Sequence, residues 1–560
     1  MNMSLRTYVP LLAWLRGYRR AWLRLDMVAG LTAAAVVIPK AMAYATIAGL
    51  PVELGLYTAL VPMAVYALLG TSRTLSVSTT STLAILAAAE LGLVAPDGGS
   101  AALAAAATLT LLTGAFLLLA GFLRLGFLAN FISEPVLVGF KAGLGLVIVV
   151  DQVPKLLGVH VAKAGFFRDI WAILQHVPAT SIPTLLLAAA MLAVLFGLER
   201  FVPRAPAPLV AVALGIAAAG LLGLKEAGVA LAGNIPAGIP APVWPNLSLA
   251  RTLWPGALGI ALMSFTESIA AGRAFIRHGD PRPDPNQELR ALGLANVAGS
   301  LFRALPAGGG TSQTAVNSGA GARTQIAELA TVAVVVGVLL FLAPLVGLMP
   351  QATLAAVVIV TTLPLVSLKS FRAIVRVRRT EFLWALAACA GVVFLGTLQG
   401  VLVAVAIAVL TLFYQANRPP VYALGRKPGT DVFRPLSPEH PTDETCPGLL
   451  ILRTEGRMTF ASAPQVGERL WALIHDAKPK VVVLDCSAIP DFEYTALNML
   501  TQAEEVLREM GTTLWLAGLN PEPLRVIERA PLGKTLGHER MLFNLEQAVE
   551  KYRALFPHGM

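Results

Sequence analysis

Two short polar stretches, Ser76–Thr82 (SVSTTST) and Ala307–Ser318 (AGGGTSQTAVNS), hold the residues best suited to chemistry on an ion. Ser78, Thr79, Ser312 and Thr314 offer hydroxyl donors, with Thr311 and Gln313 beside them. An anion that enters hydrocarbon must exchange its water for fixed donors, because an unpaired buried charge is costly. A helix N-terminus supplies such donors as free backbone N–H groups carrying about half a positive charge. The glycines at 308–310, ending at Gly310, let backbone approach the ion closely. Small and hydroxyl residues also permit tight helix packing, so one such stretch alone points to either role. Two at matching places point to a site. The chemistry is reversible binding, since the sequence offers no pairing of nucleophile and base.

The elements around these stretches are apolar. The chain has 560 residues, 56% hydrophobic and 14% charged, with mean hydropathy +0.70, too apolar for an ordinary soluble protein. Runs close to the roughly 20 residues that a bilayer requires recur from Met27 to Tyr414. With interrupted pieces near 77–92, 289–302 and 311–322, they predict about fourteen transmembrane helices. Each polar stretch falls near the third apolar segment of its half, counted from Met27 and from Pro255. That is the pattern of a transporter with inverted repeats, whose half-helices present their N-termini near the bilayer midplane. Repeat one covers 27–223 and repeat two 255–416, within a transmembrane region of 27–416.

Residues 1–26 are polar and basic, and no small-residue cleavage site follows the first run, so this reads as a cytosolic tail before an uncleaved span. Arg16, Arg19, Arg20 and Arg24 put that tail inside. Fourteen crossings then place Arg73, Arg124, Arg200–Arg204, Arg273–Arg290 and Lys369–Arg379 inside as well. The net charge of +10 therefore fits short inside loops better than nucleic acid, and no nucleic-acid partner is expected. Cys389, Cys446 and Cys486 show neither disulfide nor metal-ligand spacing. Residues 417–446 are proline-rich and read as a linker. From 447 to 556 the pattern is soluble α/β: LLILR, GRMTF, KVVVLDCS and TTLWLAG as strands, helices from about Ser462 to His475 and Thr495 to Arg508, then two more near 521–529 and 545–554.

The first two spans, GLTAAAVVIPKAMAYATIAGLPVELGLYTALVPMAVYALLGTSRTLSV, resemble the opening of the sulfate permease family, also called solute carrier family 26. FISEPVLVGFKAG, SFTESIA, ELRALGLANVAGS and TAVNSGAGART continue the match in the family's order. The C-terminal region resembles the STAS domain (sulfate transporter and anti-sigma factor antagonist). The resemblance implies an α-helical polytopic membrane protein of seven plus seven inverted repeats, with a core domain that carries the ion and a gate domain. The core moves like an elevator against the gate, and the gate holds a homodimer contact. A cytosolic α/β STAS domain follows, and short loops suit a bacterial inner membrane.

The family usually has an arginine where this chain has Gln313, and many members have glutamine where Lys40 stands. Lys40 is expected to replace part of the missing charge, since an intramembrane lysine is by default functional; packing along a cavity wall or pairing with a carboxylate is the plainer role. The substrate set is then Lys40, Ser78, Thr79, Gly310, Thr311, Ser312, Gln313 and Thr314. Families of this fold put an acidic residue that binds Na⁺ or a proton at the place of Glu267, which can load a proton rather than carry charge through hydrocarbon. H⁺ is the expected coupling ion here ahead of Na⁺, and a structural partner for Arg273 or Lys40 is the plainer role. Tyr44 and Tyr57 are candidates for the pathway wall. Asn296 and Asn317 are expected to satisfy freed backbone groups. Glu90, Lys141, Asp151 and Glu328 read as interfacial or helix-end charges. DCSAIPDFEYTA places Thr495 near the residue phosphorylated in bacterial STAS relatives, although a helix-start role is the simpler one. GAGART and GGGTSQT lack the P-loop lysine, so neither a nucleotide nor another cofactor is expected. The expected function is proton-coupled symport of a small anion: sulfate, bicarbonate or a dicarboxylate. An electroneutral exchanger, or an anion sensor or channel signalling through the STAS domain, is the alternative.

Overall fold

The computed structural model describes residues 10–11, 17–96, 98–130, 133–161, 165–203, 205–233, 235–277, 280–395 and 397–557. Arg16 and Arg204, counted above among the inside cations, lie outside them. Two compact units divide after Ala408.

The first unit is helical. Its first half runs α1 (Arg20–Ile47), α2 (Glu53–Thr58), α3 (Val61–Leu69), strand β1 (Val77–Ser78), α4 (Ser81–Val94), α5 (Gly99–Phe122), α6 (Glu134–Leu157), α7 (Phe166–His176), α8 (Ile182–Phe201) and α9 (Ala207–Leu221). Its second half runs α10 (Ala250–Ala274), α11 (Pro285–Ser300), strand β2 (Gly308–Gly309), α12 (Thr311–Gly319), α13 (Ile326–Gly337), α14 (Ala343–Gly347), α15 (Gln351–Thr362), α16 (Leu368–Val377) and α17 (Arg379–Leu395), and α18 (Thr397–Ala416) runs across the division. Six helices among the described residues are long and apolar enough to cross a membrane unaided. Shorter pieces make up other predicted spans. The second is split at Ala59–Leu60 into α2 and α3, and the third of each half is a two-residue strand followed by a short helix.

Helices pack through small residues, as expected where lipid tails are as apolar as the side chains. On α6, a side chain at Gly139 would collide with the carbonyl of Ala385 on α17. The two broken segments meet directly: β1 pairs antiparallel with β2, Val77 opposite Gly309 and Ser78 opposite Gly308. Glycine is required there, because a Cβ at Gly309 would sit 2.7 Å from Leu75 and 2.8 Å from Ser268.

The second unit carries a six-stranded sheet in the order β4 (Phe433–Pro435), β3 (Val421–Arg426), β5 (Leu449–Thr454), β6 (Val481–Asp485), β7 (Thr513–Ala517) and β8 (Met541–Leu542). Strands β5 to β8 run parallel, and β3 is antiparallel to both neighbours. Helices α19 (Ala463–Ala477), α20 (Tyr494–Glu509), α21 (Pro521–Arg529) and α22 (Pro531–Leu536) follow in chain order, and α23 (Leu545–Leu555) covers a second core. Two expectations are corrected. The stretch 417–446 is not only a linker, because β3 and β4 lie in it and β3 pairs with β5. GRMTF is not a strand: Met458 makes one isolated bridge to Phe492, and Thr459 and Ser462 then form a hydrogen-bonded turn before α19.

Candidate functional site

The polar segments meet at the ends of two helices. Helix α4 starts after Thr80, whose Oγ1 accepts from the Leu83 N–H at 3.3 Å, and α12 starts after Gly310 in extended conformation. Paired β1 and β2 hold these two starts side by side. The pairing is braced from α10 and α11. Asn296 accepts from the Ala307 N–H and donates to its carbonyl, Ser264 donates to the same carbonyl, and the Gly309 N–H donates to Ser268 Oγ at 2.7 Å. Ser76 closes the other side. Its N–H donates to Thr314 Oγ1, its carbonyl accepts from the Gly310 N–H, and its hydroxyl donates to Glu328. Glu328 is fully buried and also accepts from Asn317, which donates to the Thr74 carbonyl as well. Both asparagines thus satisfy backbone freed at the breaks.

A cavity of about 460 Å³ opens beside these helix starts. Lys40, Gly310, Thr311, Ser312 and Gln313 line it, together with Glu267, Thr80, Thr82 and Tyr44. Lys40 is only 7% exposed, and its Nζ donates to Ser312 Oγ at 3.1 Å. A positive charge is therefore delivered to the first turn of α12, where free N–H groups already favour an anion. Glu267, 6% exposed, accepts from Thr80 Oγ1 at 3.0 Å and from Thr82 Oγ1 at 2.8 Å. The first turn of α4 and the α10 carboxylate are thus one hydrogen-bonded unit.

Three candidates stand behind the wall instead of on it. Ser78 is buried and donates to Gln313 Oε1 at 2.8 Å, which orients that amide. Thr79 is buried with no hydrogen-bond partner for its hydroxyl among the described residues. Thr314 is buried and holds Ser76. Tyr57 is buried away from the cavity, while Tyr44 lines it. Sequence reasoning did not single out Lys141, Glu199, Thr361, Ser367 and Ser370 as parts of this wall. Proximity to predicted span ends hid the two charges. The Ser264/Ser268 pair, one turn apart in SFTES, was a legible signal for a brace.

In the second unit Thr495 is exposed in the first turn of α20, after Glu493. Nearby, Asp485 ends β6 in an ion pair with Arg453 and accepts from the Ser487 N–H at 3.0 Å. Burial and the Asp485 charge push the Cys486 thiol far above its usual range, the setting of a structural cysteine.

Comparison with known proteins follows the same division. The sulfate permease family model matches residues 23–388 and the STAS domain model residues 440–550. A probable sulfate transporter of Mycobacterium tuberculosis is 36% identical over 99% of both chains. A chloroplastic sulfate transporter of Arabidopsis thaliana is 30% identical over 97% of this chain and 82% of its own. Among solved structures, the murine solute carrier 26 member A9 anion transporter in its inward-facing state superposes with a TM-score of 0.91 at 22% identity, over 99% of this chain and 95% of that one. The transmembrane domain of a cyanobacterial bicarbonate transporter gives 0.59 at 25% identity, over 69% of this chain and 98% of that one. The relatives are membrane transporters and not enzymes, and with matches over the whole length this chain belongs to the sulfate permease family of multi-pass anion transporters with a C-terminal STAS domain.

Proposed function

We propose that this chain is a secondary active transporter that carries a small anion together with a proton by elevator-type alternating access. The single observation that supports this most is the Lys40–Ser312 contact at the start of α12, facing a cavity that Glu267 also lines. The anion sits against the first turn of α12, with Lys40 supplying the charge that Gln313 lacks. Ser78 and Thr314 keep the binding backbone in place, and Thr79 stands behind the helix starts. Glu267 is the proton carrier, and its neutral form lets the loaded core cross without a bare charge. Sulfate is the first substrate to try, because the curated relatives are named for it, with bicarbonate and fumarate as the other classes. The protein works as a homodimer in a bacterial inner membrane, with both termini in the cytoplasm, and Thr495 is its regulatory phosphosite.

The test is labelled uptake into liposomes under an inward proton gradient. Uptake of one anion that collapses with a protonophore supports symport and identifies the substrate class. Uptake that ignores the gradient but needs an anion inside makes the protein an exchanger. One observation favours that second reading: both Glu267 oxygens already accept threonine hydroxyls, as a permanently charged structural carboxylate would. No flux of any of the three would put an anion sensor or channel first.

A further inference from the structure

Helix α16 has a face that neither the cavity nor the helix packing uses. It lies between α15 and α17 at the charged end of the apolar segment Gln351–Val377, and three cations in its ten residues favour the membrane surface over hydrocarbon. Its sequence, LKSFRAIVRV, is strongly two-sided. Lys369, Arg372 and Arg376 repeat at i, i+3 and i+7 and make one exposed stripe. Beside that stripe, and close together on the same side of it, stand the exposed apolar side chains Leu368 at 65% and Val375 at 38%. Ser367 and Ser370, in contrast, line the cavity. At 100° per residue the three cations lie about 100° to 160° around the helix from Ser370, so the stripe points away from the transport path. Among the described residues, Arg378 pairs with the nearby Glu381 at 3.7 Å, and no ion pair is recorded for the three stripe cations.

A cationic stripe flanked by apolar side chains, fixed at a membrane surface, has the form of an in-plane interfacial helix. Its charge complements phosphate head groups while its apolar flank enters the acyl boundary. We propose that the exposed face of α16 is a binding surface for anionic phospholipid, placed where Ser367 and Ser370 connect it to the rim of the cavity. Each cation near an anionic surface contributes about fivefold in affinity, so three together contribute on the order of 100-fold.

The experiment titrates the full chain in nonionic detergent with phosphatidylglycerol or phosphatidylcholine and counts retained lipid by native mass spectrometry. Wild type is expected to retain phosphatidylglycerol preferentially. That preference should fall as salt rises, and K369Q/R372Q/R376Q should bring it down to the phosphatidylcholine level. Equal retention by the triple variant and wild type overturns the surface. If the variant does not fold, the salt series on wild type decides, and a salt-independent preference overturns it. Glycerophosphate that displaces the lipid at equal concentration would assign the stripe to a free phosphate. An unchanged lipid count with a raised KM for uptake would instead assign the cations to substrate steering.

Discussion

At the scale of single residues, the site is a division of labour between one cation and one carboxylate. Lys40 donates to Ser312, and Glu267 accepts from Thr80 and Thr82. Each is joined to the start of a different half-helix. A charged hydrogen bond is worth about 1.5–3 kcal/mol, so Lys40→Gln should weaken the anion about 10- to 100-fold. The concentration dependence of initial uptake measures it, and unchanged affinity would remove Lys40 from the binding set. Glu267→Gln separates the two transport modes. It should abolish accumulation driven by a proton gradient while leaving anion counterflow intact, because the amide can still meet the threonine hydroxyls but cannot cycle a proton. Full gradient-driven uptake by this variant would end the proton-carrier role.

At the scale of elements, the broken segments matter more than any one side chain. Two residues of strand on each side hold the starts of α4 and α12 together, and Asn296 supports that junction with bonds to both polar atoms of the Ala307 backbone. Asn296→Ala should therefore cost about 1–3 kcal/mol through unpaired buried backbone and also lower anion affinity. Gly139→Val is the contrast. It forces α6 from α17 and should lower the melting temperature, while the anion affinity of the protein that still folds falls less than in Asn296→Ala, because α6 reaches the cavity only through Val138 and Lys141. Thermal unfolding paired with a binding isotherm on each variant reads both effects. The interruptions were legible in the sequence because serine, threonine and glycine clusters stand out in apolar runs. The β1–β2 pairing was not, since two residues leave no periodicity. Nor were β3 and β4, which lie among prolines and polar residues that resemble a linker until β5 pairs with β3. GRMTF failed for the opposite reason: its apolar alternation fits a strand, but Thr459 and Ser462 bond each other and turn the chain into α19. Glu199 and Lys141 needed three dimensions, because only packing shows which side of a helix end faces a cavity.

At the scale of the molecule, two units with separate cores carry different kinds of sensitivity. The membrane unit holds several of its buried charges by hydrogen bonds to hydroxyl, amide and backbone N–H groups, as Glu288 does with Tyr66, Thr71 and Ser72. The second unit relies on ion pairs: Arg453 with Asp485, Arg540 with Glu504, and Arg434 on β4 with both oxygens of Asp443 at 2.8 Å. The last pair ties the short β4 edge to the following loop. Arg434 holds the Asp443 carboxyl below its usual range, mainly through these hydrogen bonds. A carboxyl depressed in the folded state stabilises above its unfolded value, about 3.9 for aspartate, and that contribution is lost as pH falls through the lower folded value. Amide protection over 421–435, corrected for intrinsic exchange, should therefore stay level from neutral pH down to about 5 and fall below about 4. Asp443→Asn should show reduced protection at neutral pH and lack the acid-dependent fall. The same fall in wild type and variant would mean that another group, not the Arg434–Asp443 pair, sets the acid response of this edge.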